Sequence, residues 1–109
     1  FMSMMFTGEE NSTLLTAEAR QKNISPDPDA GNQSLLTLYS TDIRDRLATI
    51  SVPTLIHHGK ADSIIPSSAG EYMAERVAGA EYVGWDNVGH APFLSRPEAS
   101  TALWKEFML

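Results

Sequence analysis

Asp62 and His90 are the two residues of this sequence whose types and spacing suggest chemistry. Asp62 ends the motif GKAD, and His90 stands in the motif GHAPF. They are about one strand–helix–strand unit apart, so the loops after two adjacent parallel strands would bring them to the same edge of a sheet. A neutral imidazole can take a proton from a serine hydroxyl, and a carboxylate bonded to its Nδ1–H fixes the tautomer and stabilises the imidazolium. The pair therefore predicts an orienting acid, Asp62, and a general base, His90.

Each of these residues also has a structural interpretation. A lone aspartate after a strand is most often a turn or cap residue, and Gly89 and Pro92 around His90 could simply form a turn. It is the two motifs together, in this order and on these elements, that favour catalysis. His57 and His58 are neighbours on a predicted strand, so their side chains point to opposite faces and cannot chelate one metal. We expect no metal site and no cofactor.

Two strands and the helix between them must position this pair. An apolar run over 54–58, bounded by Pro53 and Gly59, predicts a buried strand, and 82–85 predicts a second one. Between them the S-x-x-E pattern of Ser68 predicts a helix start. A strand–helix–strand order implies a parallel pair, and parallel sheets are normally covered on both faces and extended by further strands. The fold class is therefore α/β, as one end of a doubly wound parallel sheet.

Helices are predicted on either side of this unit. Upstream they cover 1–7, 12–22, 33–40 and 42–49, the last with an apolar stripe of Ile43 and Leu47, and the Pro- and Gly-containing segment 23–32 is predicted as a loop. Downstream, Ser95 and Glu98 repeat the S-x-x-E pattern, with Pro97 in the first turn of a final amphipathic helix. We divide the chain into segments 1–41 and 42–109.

Composition excludes several classes of partner. The 109 residues carry a formal net charge of −6 and no cysteine. A nucleic-acid partner is not expected, because phosphate binding needs clustered Lys and Arg, and an acidic surface also disfavours anionic membranes. Disulfides and thiolate chemistry are excluded. No apolar run approaches the roughly 20 residues that a membrane-spanning helix needs.

The segment from Asp42 to the end resembles the α/β-hydrolase superfamily. The pattern I-x-x-P-T-L-I-x-x-G-x-x-D-x-x-I-P is similar to the strand and acid loop of that family, and GHAPFLSRPE is similar to its histidine loop and last helix. The resemblance implies that Asp62 is the catalytic acid and His90 the catalytic base of a cytoplasmic serine esterase. It also implies that residues 1–41 form the end of a helical lid over a doubly wound core.

The family order is serine, acid, histidine, with the serine on a G-x-S-x-G turn. None of the seven glycines here is followed two places later by serine. We therefore expect the nucleophile and the oxyanion hole to lie in an amino-terminal part ahead of this chain, and we expect these 109 residues alone to be inactive. The first residue, Phe1, also suggests a chain that begins further upstream. The uncovered strand edges predict self-association of the isolated chain.

Within the superfamily, the motif HAPF-x-S-x-P most resembles that of the carboxylesterases of biotin synthesis. That implies an ester substrate, either a small molecule or a methyl ester linked to acyl-carrier protein. An acidic carrier should meet basic side chains, yet segment 1–41 contains Arg20 and Lys22 against five acidic residues: Glu9, Glu10, Glu18, Asp27 and Asp29. Two alternatives stay open: a non-catalytic hydrolase remnant that binds a partner through its sheet edge, and another hydrolase of this fold, such as a lactonase or a C–C hydrolase.

Overall fold

Two parallel strands form the centre of the computed structural model, which describes residues 2–22 and 27–109. Strand β1 covers Leu55–Gly59 and strand β2 covers Glu81–Trp85, with Leu55 opposite Glu81 and Gly59 opposite Trp85. Helix α4 (Ser67–Arg76) connects them and packs on both. The predicted parallel strand–helix–strand unit is confirmed.

The sheet is covered on two faces. His58 of β1 faces α4, where Gly70 lies so close that an added Cβ would stand 2.8 Å from His58 Nδ1. His57 points the other way, and its ring centroid is 5.7 Å from that of Trp104 in helix α6 (Pro97–Met108). Helix α5 (Pro92–Ser95) joins β2 to α6. This three-layer arrangement is the one expected for part of a doubly wound sheet.

The described residues upstream of the sheet form three α-helices and one 3₁₀ helix. Their bounds are α1 (Met2–Met5), α2 (Ser12–Lys22), α3 (Pro28–Ser40) and a 3₁₀ helix (Arg44–Thr49). No residue of α3 is buried, although it presents four large apolar side chains: Leu35, Leu36, Leu38 and Tyr39. No helix in the described ranges is both long enough and apolar enough to cross a membrane.

Two upstream predictions were wrong in part. The loop predicted over 23–32 is helical from Pro28, while 23–26 lie outside the described residues. Pro28 occupies the first helical turn and the Asp27 carboxylate accepts the Asp29 N–H at 3.0 Å, so loop-type residues here start a helix. The helix predicted over 42–49 is the 3₁₀ helix Arg44–Thr49, and of the predicted stripe Leu47 is buried whereas Ile43 is 59% exposed.

Both predicted S-x-x-E caps were wrong as well. Helix α4 begins at Ser67 after an extended Pro66, and no side chain caps it, so Ser68 lies inside the first turn. Ser95 is the last residue of α5, and its hydroxyl donates to the Glu9 carboxylate at 2.8 Å, with the Ala91 carbonyl 3.2 Å away. A proline lies at each helix start instead: Pro66 directly precedes α4, and Pro97 is the first residue of α6.

Gly59 brings the two loops that follow the strands into direct contact. A Cβ built on Gly59 would lie 1.9 Å from the Gly89 carbonyl oxygen and 2.3 Å from that of Val88. Two residues after Gly59, the Ala61 N–H donates to the Val88 carbonyl at 3.0 Å. The backbone of the acid loop therefore lies against the backbone of the histidine loop, with no room for a side chain between them.

Replacing Gly59 with alanine is expected to lower the free energy of unfolding by about 3 kcal/mol or more, since the clash is with backbone rather than with a flexible side chain. Gly31→Ala is the matched control. Nothing lies within 4 Å of its added Cβ, and alanine in an exposed helix should stabilise by roughly 0.5–1 kcal/mol. Urea unfolding measures both, and equal midpoints for the two variants would contradict the close approach at Gly59.

Candidate active site

Asp62 lies in a tight turn directly after β1, with its side chain only 3% exposed. Its Oδ1 accepts hydrogen bonds from the backbone N–H groups of Ile64 at 2.8 Å and Ile65 at 3.0 Å. Burial by itself would raise the pKa of Asp62, but the hydrogen bonds from Ile65, His90 and Ile64 outweigh it and lower the pKa below the usual value. The carboxylate is therefore ionised at neutral pH and fixed in orientation.

His90 lies in the loop after β2 and reaches the same carboxylate. Its Nδ1 is 2.8 Å from Asp62 Oδ2, and its backbone N–H donates to the Met5 carbonyl at 2.6 Å. Because the ionised carboxylate can only accept, the shared proton resides on Nδ1, which leaves Nε2 as the basic nitrogen of the ring. The predicted meeting of Asp62 and His90 at one edge of the sheet is confirmed. Their catalytic roles stay predictions.

His58 is a third member of this cluster that the sequence analysis missed. Its Nε2 lies 3.2 Å from Asp62 Oδ2 and 3.0 Å from the Ile65 carbonyl oxygen, and its side chain is 12% exposed. Both neighbours are acceptors, so the proton of the His58 ring is on Nε2. Asp62 Oδ1 thus accepts from two backbone amides and Oδ2 from the His90 ring, while His58 Nε2 lies close to Oδ2 and hydrogen-bonds the Ile65 carbonyl. The alternation along β1 predicted the face of His58, but not that the acid turn folds back onto it.

His57 lies outside this cluster, as expected for a side chain on the face of β1 opposite to that of His58. Its ring is T-shaped to those of Trp85 and Trp104, with centroids 6.4 and 5.7 Å away. Burial, and secondarily the neighbouring His58, lower the pKa of His57 below its usual value, so the ring stays neutral. Within residues 2–22 and 27–109, no group of three or more His, Asp or Glu side chains could hold a metal ion.

Glu9 is not the surface residue that its place among the acidic side chains of segment 1–41 suggested. Its side chain is 1% exposed and faces the histidine loop, whereas Glu10, Glu18, Asp27 and Asp29 are exposed. Arg20 is also exposed. The acidic excess on the surface of this segment is therefore smaller by one charge than the sequence implies.

Comparison with known proteins agrees with the fold. No family model matches the chain. The chain is 33% identical over 101 residues to the pimeloyl-[acyl-carrier protein] methyl ester esterase of Nitrosomonas europaea, covering 90% of this chain and 40% of the relative. It is 38% identical over 81 residues to the enzyme of the same name from Neisseria meningitidis serogroup B, covering 74% of this chain and 31% of the relative.

A solved structure is similar over nearly the whole chain. An esterase from Exiguobacterium antarcticum superposes with a TM-score of 0.84 at 29% identity, covering 98% of this chain and 40% of its own. The chain belongs to the α/β-hydrolase superfamily and corresponds to the carboxyl-terminal portion of that fold. Within the superfamily it is similar to the pimeloyl-[acyl-carrier protein] methyl ester esterases, and it spans 40% of the length of the Nitrosomonas relative and 31% of the Neisseria relative.

Proposed function

We propose that this chain supplies the acid and the base of a serine-dependent carboxylic ester hydrolase. The observation that carries the proposal is the 2.8 Å hydrogen bond between His90 Nδ1 and the buried Asp62 carboxylate. Asp62 is the orienting acid and His90 the general base. The nucleophilic serine and the oxyanion hole belong, in this proposal, to an amino-terminal part that precedes these residues, in the family order of serine, acid and histidine.

The chemistry follows from this geometry. His90 Nε2 takes the proton of the serine hydroxyl as the serine oxygen attacks the ester carbonyl, and Asp62 stabilises the imidazolium that results. The imidazolium then gives its proton to the leaving alkoxide, which departs as an alcohol and leaves an acyl-serine. In the second half His90 takes a proton from water, the hydroxide attacks the acyl-serine, and the proton returns to the serine oxygen. The products are a carboxylic acid and an alcohol.

The substrate we propose is a methyl ester carried by acyl-carrier protein, because the relatives named above hydrolyse such an ester. Segment 1–41 is proposed to be the end of a helical lid, which agrees with the uncovered apolar side chains of α3. A cytoplasmic location belongs to the same proposal. The strands that would extend the sheet beyond β1 and β2 come, in this proposal, from the amino-terminal part, or from a second copy when the chain is isolated.

Hydrolysis of p-nitrophenyl butyrate tests the proposal. The complete protein should be active, and the isolated 109 residues should show no turnover above background, since loss of a triad serine costs about 10⁶-fold. Turnover by the isolated chain that disappears in its His90→Ala variant would contradict a nucleophile located elsewhere. The carrier-linked substrate is tested separately, by whether the complete gene restores growth to a biotin auxotroph that lacks its own esterase.

A further inference from the structure

Residues 4–9 contact both loops of the candidate site. The Met4 carbonyl accepts the Ser63 hydroxyl at 2.9 Å, next to Asp62 in the acid loop. The Met5 carbonyl accepts the backbone N–H of His90 at 2.6 Å. Phe6 is completely buried and anchors the segment. This short segment therefore connects the acid loop to the histidine loop, although the chain separates it from both by more than fifty residues.

Glu9 makes the most demanding of these contacts. Its Oε1 accepts the Gly89 N–H at 2.8 Å and the Ser95 hydroxyl at 2.8 Å, while Oε2 lies 3.7 Å from an Arg96 guanidinium nitrogen. A carboxylate is costly to bury unless hydrogen bonds and a nearby positive charge compensate it; here the hydrogen bonds reach Oε1, and the buried Oε2 faces the Arg96 guanidinium. The histidine loop, taken as residues 89–95, begins at Gly89 and ends at Ser95, the last residue of α5. A single carboxylate oxygen therefore joins its two ends.

Gly89 is pressed against this segment. A Cβ added to it would lie 2.2 Å from the Met5 carbonyl oxygen and 3.1 Å from Glu9 Oε1. The backbone just before His90 therefore has no freedom to shift toward residues 5–9.

We infer that Glu9 is a positioning residue, which holds the histidine loop by both ends so that the His90 ring stays on Asp62. The inference rests on the proposed function for its catalytic consequence. Glu9 acts through the Gly89 N–H and the Ser95 hydroxyl rather than by contact with a reacting atom. Losing it lets the loop relax, and a displacement of about 1 Å in a catalytic group can cost on the order of 100-fold in rate.

Three variants of the complete protein test the inference kinetically. Glu9→Ala is expected to lower kcat for p-nitrophenyl butyrate by about 10- to 100-fold, with KM within about twofold, because Glu9 affects orientation and not substrate binding. Glu9→Gln should recover at least about tenfold of the loss, since its amide oxygen can still accept both hydrogen bonds. Glu10→Gln, an exposed neighbour, is the matched control and should behave as the wild type.

A second measurement is independent of ester hydrolysis. The His90 Nδ1–H proton, hydrogen-bonded to Asp62, should give a far-downfield NMR resonance in the wild type, in Glu10→Gln and in Glu9→Gln, and it should broaden or vanish in Glu9→Ala. If this pattern holds and the wild type hydrolyses no ester, the proposed function fails and the positioning role of Glu9 stands. An unchanged resonance in Glu9→Ala, or equal losses of kcat in the alanine and glutamine variants, would overturn the inference.

If Glu9→Ala does not fold, the variant Ser95→Ala tests the same inference. It removes one hydroxyl from the same carboxylate oxygen, and kcat should fall by about three- to tenfold with the resonance broadened. The double variant Ser95→Ala/Glu9→Gln should lose less than the product of the single losses, because both substitutions act on one network. Wild-type kcat together with an unchanged resonance in Ser95→Ala would overturn the inference in that case.

Discussion

Replacing His90 with alanine in the complete protein is expected to lower kcat for p-nitrophenyl butyrate by about 10⁶-fold, with little change in KM. The imidazole both removes the proton from the nucleophile and returns one to the leaving alcohol, so no step of either half-reaction proceeds at its normal rate without it. Steady-state kinetics at neutral pH, with thermal melting to verify folding, measure the effect.

His57→Gln is the matched control for this variant. His57 is adjacent to His58 on β1 but faces α6, on the opposite side of the sheet from Asp62. Its replacement should alter stability and leave kcat close to the wild-type value. If His90→Ala retained more than about a tenth of the wild-type kcat, far above the loss expected for a triad base, the assignment of His90 as the base would be wrong.

Replacing Asp62 with asparagine is expected to lower kcat by about 10⁴-fold. Asparagine keeps the shape of the side chain, but its amide group can donate to His90 Nδ1 and so favour the tautomer with the proton on Nε2, the wrong one for a base. It also removes the negative charge that stabilises the imidazolium. Asp86→Asn is the matched control: Asp86 also follows a strand, but it is exposed and pairs with Lys60 at 2.8 Å, so kcat should be unchanged.

The same variant should change the dependence of stability on pH. The pKa of Asp62 is lowered in the folded protein, so its ionised form contributes stability that is fully present above the unfolded-state pKa of about 4 and is lost as the pH falls through the lowered folded-state value. The wild type should therefore exceed Asp62→Asn in stability by the largest margin at neutral pH. Urea midpoints at several pH values measure this margin, and a margin that grows on acidification would contradict the account.

The strands and the contact between Asp62 and His90 could be predicted from the sequence because their signals are local. Pro53 and Gly59 bound β1, the apolar run between them marks it as buried, and the order of elements implies parallel pairing. Once two loops must lie side by side at one sheet edge, an aspartate in one and a histidine in the other are within reach. That is why the contact between Asp62 and His90 follows from the sequence.

Other features depend on contacts that have no local signal. Glu9 has the same residue type and sequence setting as Glu10, and only the fold distinguishes them, because it brings Gly89 and Ser95 to Glu9 from 80 and 86 residues away. His58 has a predictable face but an unpredictable partner. The start of α3 was missed for a different reason: Asp and Pro terminate and initiate helices alike, so the residues around Pro28 support either interpretation.

Labelling of the complete protein with a fluorophosphonate, followed by peptide mass spectrometry, tests the central claim most directly. The account predicts one modified serine, in a G-x-S-x-G sequence outside these 109 residues, and predicts that His90→Ala and Asp62→Asn abolish rapid labelling. Labelling of a serine within these residues, or labelling that is equally fast without His90, would contradict it.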